Sequence, residues 1–206
     1  MKQALIIVDV QNDFCQGGSL EVNGANEIIP VINKIRENFD EKFSLIVLTQ
    51  DYHPEDHISF KDSPHLQNQA LELDEITEKW KGAFPPHCVK STNGAEFHKD
   101  LNLNGSEIIF RKGENSLRES FSGFGNPLLL DCLKGQEIKR LFLVGLAYDF
   151  CVGCTALDAC EFGFETIVIQ DACRGISENS INSTNEKFQN KGIKIISSHD
   201  LLNNIN

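Results

Sequence analysis

Six short apolar runs are spaced along the chain, and segments of helical periodicity lie between several of them. Each run is continuously apolar rather than alternating with polar residues, which is typical of strands covered on both faces. Strands that alternate with helices predict βαβ units and a parallel sheet. We therefore expect an α/β fold with a doubly wound, mostly parallel six-stranded sheet and helices on both faces. The predicted strands are residues 5–10, 44–49, 108–111, 141–145, 166–169 and 193–196.

Helices are predicted from the spacing of apolar side chains. Ile28, Ile32 and Ile35 lie on one face of a segment that follows Asn26, which we expect to be its N-cap. Two further helices are predicted over residues 151–162 and 180–190, each ending before a glycine. The stretch 51–105 contains few periodic segments, and long irregular stretches are usually functional. We expect one domain over residues 1–206, with an insertion around 51–105.

The composition limits the classes of partner and the cellular location. The net charge of −11 repels phosphate groups, so we expect neither a nucleic-acid nor a membrane partner. The first apolar run is too short for the core of a signal peptide or for a membrane span. The seven cysteines are an odd number and are expected to be thiols in a reducing compartment. We therefore expect a cytoplasmic protein.

Four reactive side chains follow the predicted strands. Asp9, Asp51 and Lys112 come at or just after the ends of the first three strands, and Cys151 follows the fourth at the mouth of a helix. Ligands of open parallel sheets bind beyond the carboxyl ends of the strands. These side chains are therefore expected to converge on one rim.

Cys151 is the candidate nucleophile in this group. The positive end of the helix dipole is expected to lower its pKa, and Lys112 can stabilise the thiolate. Asp9 can accept the thiol proton and later return it to a leaving group. Backbone N–H groups at the helix mouth would form an oxyanion hole, which favours acyl transfer. The alternative is that Cys151 is a small buried apolar residue.

Cys151 and Cys154 also form a CxxC pair. This motif is typical of thioredoxin-type redox proteins or of half a zinc site. A four-thiolate zinc site would need a second pair of this kind, and the sequence has none. A redox protein remains an alternative, although it leaves Asp9 and Lys112 without a role.

A second constellation lies in the insertion. Asp51 and His53 point to the same side of an extended segment, because side chains alternate with period two. His57 follows closely, and His87 lies in a proline-rich loop. One carboxylate with two or three histidines suits Zn²⁺, Fe²⁺ or Mn²⁺. Histidines in solvated loops are the alternative.

Taken in order and spacing, several motifs of this chain resemble those of nicotinamidases, also called pyrazinamidases, of the isochorismatase-like cysteine hydrolases. The resemblance covers nearly the whole chain. The motifs are ALIIVDVQNDF at 4–14, QDYHP at 50–54, PPHCV at 85–89, RKG at 111–113 and GLAYDFCV at 145–152. The resemblance implies a three-layer α/β/α fold and hydrolysis of nicotinamide to nicotinate and ammonia through a cysteine thioester, as in NAD salvage. It extends to pyrazinamide as a further substrate, and a homo-oligomer is compatible with it.

The resemblance also implies roles for particular residues. Asp9, Lys112 and Cys151 match the catalytic triad, and the N–H groups of Ala147, after a cis peptide bond, and Cys151 match the oxyanion hole. The matching metal ligands are Asp51, His53 and His87, which would hold one divalent ion, with zinc favoured over iron or manganese. An isochorismatase-like amidase that acts on a different small amide, without this metal, remains the alternative.

The aromatic positions of the family match less uniformly. Phe14 and Phe121 match residues that sandwich the substrate ring. Phe84 stands where relatives often have tryptophan, and Trp80 either substitutes for that ring or only packs nearby. His57 matches a histidine that binds metal in some relatives and not in others, so we do not include it among the ligands. The loop over residues 114–120 is longer than in the shortest relatives.

Overall fold

A six-stranded sheet forms the centre of the computed structural model, which describes residues 1–39 and 42–204. The strands pair in the order β3–β2–β1–β4–β5–β6, and every pairing is parallel. The expected parallel α/β sheet is therefore confirmed; of the predicted domain 1–206, residues 40, 41, 205 and 206 lie outside the described residues. The strands are β1 (Gln3–Val8), β2 (Leu45–Asp51), β3 (Ile108–Lys112), β4 (Arg140–Leu146), β5 (Glu165–Arg174) and β6 (Lys194–Ile196).

Helices cover both faces of the sheet, as continuous apolar strands require. Leu5 and Ile7 of β1 are buried against one layer, whereas Ala4, Ile6 and Val8 are buried against the other. The first layer contains α1 and α6, and the second contains α3, α4 and α5. The helices are α1 (Ile28–Phe39), α2 (Glu75–Trp80), α3 (Pro127–Gly135), α4 (Gly153–Glu161), α5 (Glu178–Lys191) and α6 (Ser198–Asn204). None of the helices within the described ranges is long and apolar enough to cross a membrane.

The expected N-cap at Asn26 is wrong. Asn26 lies inside a short 3-10 turn, Ala25–Glu27, that precedes α1. Its side-chain oxygen accepts the N–H of Gln16, and its amide nitrogen lies 3.2 Å from His98 Nε2. Tertiary contacts therefore use the amide that the local pattern assigns to the helix end.

Two other helices differ from expectation. Cys151 does not begin an α-helix, because it lies in a turn of π-helix, Tyr148–Val152, and α4 starts after it. Helix α3 was not predicted from its apolar spacing, although its start has a clear signal. Asn126 accepts the N–H of Leu128, and Pro127 occupies the first helical turn.

The direction of the strand order reverses between β1 and β4. Strands β2 and β3 continue from β1 to one side, and β5 and β6 continue from β4 to the other. A crevice forms at such a switch point, beyond the carboxyl ends of the strands. The residues that leave β1 and β4, namely Asp9 and the segment 147–151, are therefore placed on the two sides of one crevice.

Gly145 is needed where these two central strands meet. It pairs with Val8 and has a φ of +119°, and a Cβ at this position would lie 2.1 Å from the carbonyl oxygen of Val8. We expect Gly145→Ala to lower the free energy of unfolding by about 2–4 kcal/mol, because neither strand can move away without losing pairing. Urea denaturation followed by circular dichroism measures this change.

Gly135→Ala is the matched control, since an added Cβ there has no neighbour within 4 Å. Its unfolding free energy is expected to stay equal or to rise by up to about 1 kcal/mol. Equal unfolding midpoints for the two variants would contradict this account of the switch point.

Candidate active site

The ammonium group of Lys112, at the end of β3, is the centre of the site. Its Nζ lies 2.6 Å from Asp51 Oδ1, 2.9 Å from Asp9 Oδ2, 3.3 Å from the carbonyl of Ser120 and 3.4 Å from Cys151 Sγ. The side chains of Lys112 and Asp9 are fully buried. The structure thus brings together the four reactive residues that the sequence places at the ends of strands.

The two oxygens of Asp9 have different partners. Oδ1 accepts the hydroxyl of Thr49 at 2.6 Å. Oδ2 lies 2.9 Å from Lys112 Nζ, which also has Asp51, Ser120 and the sulfur of Cys151 within reach. Lys112 has three N–H donors for these four acceptors, so they cannot all be fully bonded at once. A buried carboxylate oxygen that shares its donor in this way, next to a thiol, is suited to receive a proton.

The electrostatics of the site favour a thiol over a resting thiolate. Burial raises the pKa of Cys151 well above its usual range, and the charge of Lys112 only partly offsets this. The expectation that a helix dipole lowers this pKa is therefore wrong. Burial also raises the pKa of Asp9, against the opposing effect of Lys112. A carboxylate with a raised pKa is a better match for a thiol that must lose its proton during the reaction.

Asp51, His53 and His87 form a second cluster in contact with the first. One ligand atom from each lies within 4.8 Å of the others, and all three residues are buried. Oδ1 of Asp51 contacts Lys112, and its other oxygen, Oδ2, lies 3.6 Å from His53 Nε2. Burial raises the pKa of Asp51, but Lys112 and His53 lower it by more, so this carboxylate stays ionised.

The hydrogen bonds of the two imidazoles fit a bound metal ion. Nδ1 of His53 lies 2.9 Å from the carbonyl of Gly113, and Nδ1 of His87 lies 2.8 Å from the carbonyl of Pro85. Because a carbonyl only accepts, both Nδ1 atoms carry a proton, so Nε2 is the atom that offers a lone pair to a metal ion when the ring is neutral. Histidine ligands of metals typically show this arrangement. Two imidazoles and one carboxylate with open positions suit zinc or iron.

His57 differs from these two histidines. Its Nε2 donates to the carbonyl of Arg118 at 3.0 Å, and its Nδ1 accepts the hydroxyl of Ser59 at 2.8 Å. Both nitrogens are therefore used by the protein. The ring packs on His53 with a centroid distance of 4.2 Å, so His57 supports a candidate ligand and is not placed as one.

Two further residues position this cluster. Gln11 donates to the carbonyl of Asp51 at 2.8 Å and accepts the Asp51 N–H at 2.9 Å, so its amide holds the backbone on both sides. Gly113 has a φ of +67°, and a Cβ there would lie 2.3 Å from Cε1 of His53. Sequence reasoning did not include Gln11, although its position two residues after Asp9 places it on the same rim.

A cavity of about 120 Å³ lies against both clusters. A cavity of about 150 Å³ in another protein holds benzene, so this space is close to the size of one small aromatic ring. The peptide bond before Ala147 is cis, as the resemblance implies. The lining residues are Phe14, Leu20, Val22, Asp51, Phe84, His87, Glu119, Phe121, Ala147, Phe150, Cys151 and Ile176.

The lining differs in part from the candidates found in the sequence. Phe14, Phe84 and Phe121 all contribute to it, whereas Trp80 lies behind the wall against Phe84. Glu119 was missed: its side chain is buried, and its carboxylate accepts the N–H of Ser120. No local pattern distinguishes Glu119 from a surface glutamate, because a tertiary bond from its N–H to the hydroxyl of Thr77 places it here.

Cys154 lies outside this cavity. It lines a separate groove together with Leu157 and Asp158 of the same helix. Burial raises its pKa, as it does for Cys151. The two cysteines of the CxxC pair therefore face different surroundings, and Cys151 alone of the two borders the ring-sized space.

These features agree with comparisons to known proteins. The chain belongs to the isochorismatase family, whose domain model matches residues 3–200. It is 40% identical to the nicotinamidase of Acinetobacter baylyi, over 98% of this chain and 97% of that protein. Among solved structures, it is similar to the nicotinamidase/pyrazinamidase of Acinetobacter baumannii, with a TM-score of 0.86, 41% identity and 98% of each chain covered.

A second solved structure that is similar to this chain contains zinc. The pyrazinamidase of Pyrococcus horikoshii in complex with zinc superposes with a TM-score of 0.82. It is 38% identical to this chain, and the match covers 96% of this chain and 99% of that one. The resemblance found in the motifs is thus confirmed at the level of the family.

The arrangement of imidazoles leads to a prediction about metal binding. We expect His87→Gln to weaken the affinity for Zn²⁺ by at least about 100-fold, the upper end of what the loss of an outer partner costs. His57→Gln is expected to keep a stoichiometry near one ion per chain, since neither ring nitrogen of His57 is free to bind. Equilibrium dialysis followed by elemental analysis measures both.

His199→Gln, an exposed change on α6, is the control for this comparison. Loss of the ion from His57→Gln as complete as from His87→Gln would contradict the account that His57 is not needed to hold the ion.

Proposed function

We propose that this protein is a nicotinamidase that hydrolyses nicotinamide to nicotinate and ammonia. The observation that carries the proposal is one ring-sized cavity whose lining includes both the thiol of Cys151 and the candidate metal ligands Asp51 and His87. Nicotinamide has a carboxamide at one side of its ring and a basic nitrogen elsewhere on the ring. The cavity offers a partner for each.

The walls of the cavity support a flat, apolar ring. Phe14, Phe84 and Phe121 contribute aromatic faces and edges, and apolar side chains dominate the rest of the lining. Aromatic rings favour offset-stacked or edge-to-face contacts with one another. We infer that these three residues hold the pyridine ring so that its carboxamide faces Cys151.

In the acylation step, the thiol of Cys151 gives its proton to Asp9 Oδ2 and its sulfur attacks the amide carbon. A carbon–sulfur bond forms while the carbonyl oxygen gains negative charge, for which the N–H groups of Ala147 and Cys151 are the proposed donors. Asp9 then gives the proton to the amide nitrogen, and the carbon–nitrogen bond breaks. Ammonia leaves and a thioester on Cys151 remains.

In the deacylation step, Asp9 acts on water in the same way. It takes a proton from the water molecule as the oxygen attacks the thioester carbon. The carbon–sulfur bond breaks and the proton on Asp9 returns to the sulfur of Cys151. The product leaves as the carboxylic acid, which gives its remaining proton to solvent and becomes nicotinate. Lys112 stays positively charged throughout and stabilises both the carboxylate and the developing thiolate.

Asp51, His53 and His87 are the proposed ligands of one divalent ion. When bound, such an ion supplies a Lewis acid to which a ring nitrogen can bind directly or through water. The zinc complex of the pyrazinamidase from Pyrococcus horikoshii supports zinc, and the donor set also suits iron or manganese. Burial lowers the pKa of His87 to about 4, which keeps the ring in the neutral form that binds metal.

We also propose a cellular role. Nicotinate produced by this reaction is suited to NAD salvage, and pyrazinamide, which has the same carboxamide on a ring of the same size, is a second expected substrate. The described cysteines are free thiols, which supports a cytoplasmic location.

The nucleophile is tested by a pair of cysteine variants. We expect Cys151→Ala to reduce the release of ammonia from nicotinamide by at least about 10³-fold, because no sulfur remains to form the thioester. Cys154→Ser is expected to keep turnover within about threefold, since Cys154 borders a different groove and is not the attacking atom. A coupled assay for ammonia on purified, metal-loaded protein measures both rates.

Circular dichroism and metal content of the two variants serve as controls. If Cys154→Ser were as damaging as Cys151→Ala, the redox interpretation of the CxxC pair would replace the proposed mechanism. If the unmodified protein released no ammonia, a different small amide would be the substrate.

A further inference from the structure

Trp80, the one tryptophan of the chain, packs behind the wall of the ring cavity. It is the last residue of α2 and contacts three aromatic residues that line the cavity. The ring centroids lie 5.4 Å from Phe84, 5.8 Å from Phe121 and 5.2 Å from Phe150. One side chain that does not line the cavity therefore supports three that do.

The contact with Phe84 differs from the other two. The rings of Trp80 and Phe84 are nearly parallel, with 12° between their planes, whereas Phe121 and Phe150 meet Trp80 edge-on. Phe84 is thus covered on one face by Trp80 while it also borders the cavity. A ligand ring stacked on Phe84 would be the third layer of a stack that begins with Trp80.

The backbone of Phe84 is held in place from a different direction. Its N–H donates to the carbonyl of Ser59, and its carbonyl accepts the N–H of Lys61, both at 2.9 Å. With the backbone fixed in this way, the ring of Phe84 can move away from the cavity only if Trp80 moves.

Helix α2 is itself tied to the opposite wall. The hydroxyl of Thr77 accepts the N–H of Glu119 at 3.0 Å, and Asp74, the N-cap of α2, lies 3.3 Å from Arg118. The loop that contains Glu119 continues into Phe121. The short helix therefore fixes the positions of two walls of the cavity relative to each other.

We propose that Trp80 is a specificity-determining residue that sets the thickness of the cavity through Phe84. Because Trp80 blocks the retreat of Phe84, the cavity accepts a flat aromatic ring and disfavours a puckered ring that is thicker across its plane. The preferred substrates are therefore carboxamides of flat aromatic rings. Since this role concerns the ring of the substrate, it rests on the proposed function.

The test compares the binding of benzamide, which is flat, with that of cyclohexanecarboxamide, which has a puckered ring of the same size. Neither compound has a ring nitrogen, so the comparison does not depend on the metal site. Dissociation constants are measured by isothermal titration calorimetry on proteins that also contain Cys151→Ala, so that neither amide is consumed. Binding is then measured whether or not nicotinamide is the substrate.

We expect benzamide to bind more tightly than cyclohexanecarboxamide when Trp80 is present. Trp80→Ala is expected to reduce this preference at least fivefold, and Trp80→Phe, which keeps a flat ring behind Phe84, is expected to preserve most of it. Ile76→Ala is the matched control, because Ile76 is on the same helix and 51% exposed. Its preference is expected to equal that of the parent protein.

Turnover gives a second readout that a purely structural role would not produce. With Cys151 intact, Trp80→Ala is expected to raise the KM for nicotinamide about tenfold and to leave kcat within about threefold, since the reacting groups lie on other elements. If Trp80→Ala does not fold, Trp80→Leu carries the test, because it keeps apolar volume and removes the flat face.

An unchanged preference in a folded Trp80→Ala or Trp80→Leu protein would overturn the proposal. So would an equal loss of preference in Ile76→Ala. Absence of nicotinamide turnover by the unmodified protein would contradict the proposed function and would leave the binding comparison intact.

Discussion

The ion pairs of Lys112 are the interaction on which the rest of the site depends. A fully buried ammonium group is costly unless anionic partners surround it, and removal of one partner leaves an uncompensated charge. Burial alone would lower the pKa of Lys112, but Asp51 and Asp9 raise it well above its usual range, so the group stays charged. These contacts require β3 to end beside β2 and close to the end of β1, which the parallel register provides.

Asp51 links the proposed nucleophile to the proposed metal site. One of its oxygens meets Lys112 and the other faces His53, so the same carboxylate belongs to both clusters. Its backbone is in turn held by the amide of Gln11. The proposed nucleophile and the proposed metal site are therefore held in a fixed relation through one carboxylate, which suits a substrate whose carboxamide and ring nitrogen are a fixed distance apart.

Much of this arrangement follows from the sequence because parallel strands place their carboxyl ends on one edge. Asp9, Lys112 and Cys151 could be brought together on that ground alone. The parts that could not be predicted depend on tertiary contacts. Glu119 is placed at the cavity because its N–H donates to the hydroxyl of Thr77, 42 positions away in the sequence. The side chain of Asn26 accepts the N–H of Gln16 and does not cap a helix. The raised pKa of the Cys151 thiol reflects burial, which a local argument from the helix dipole does not include.

The central claim is that Asp9, through Oδ2, takes the proton of Cys151 or of water and gives it to the leaving amide nitrogen or back to the sulfur. The most direct measurement is the turnover of Asp9→Asn together with the thiolate absorbance of its Cys151. Because the charge of Asp9 raises the thiol pKa, the variant is expected to hold more thiolate at a given pH. We expect its turnover nevertheless to fall about 10²- to 10⁴-fold, since no group remains to protonate the leaving amide nitrogen or to activate water. Turnover near that of the unmodified protein would contradict the account.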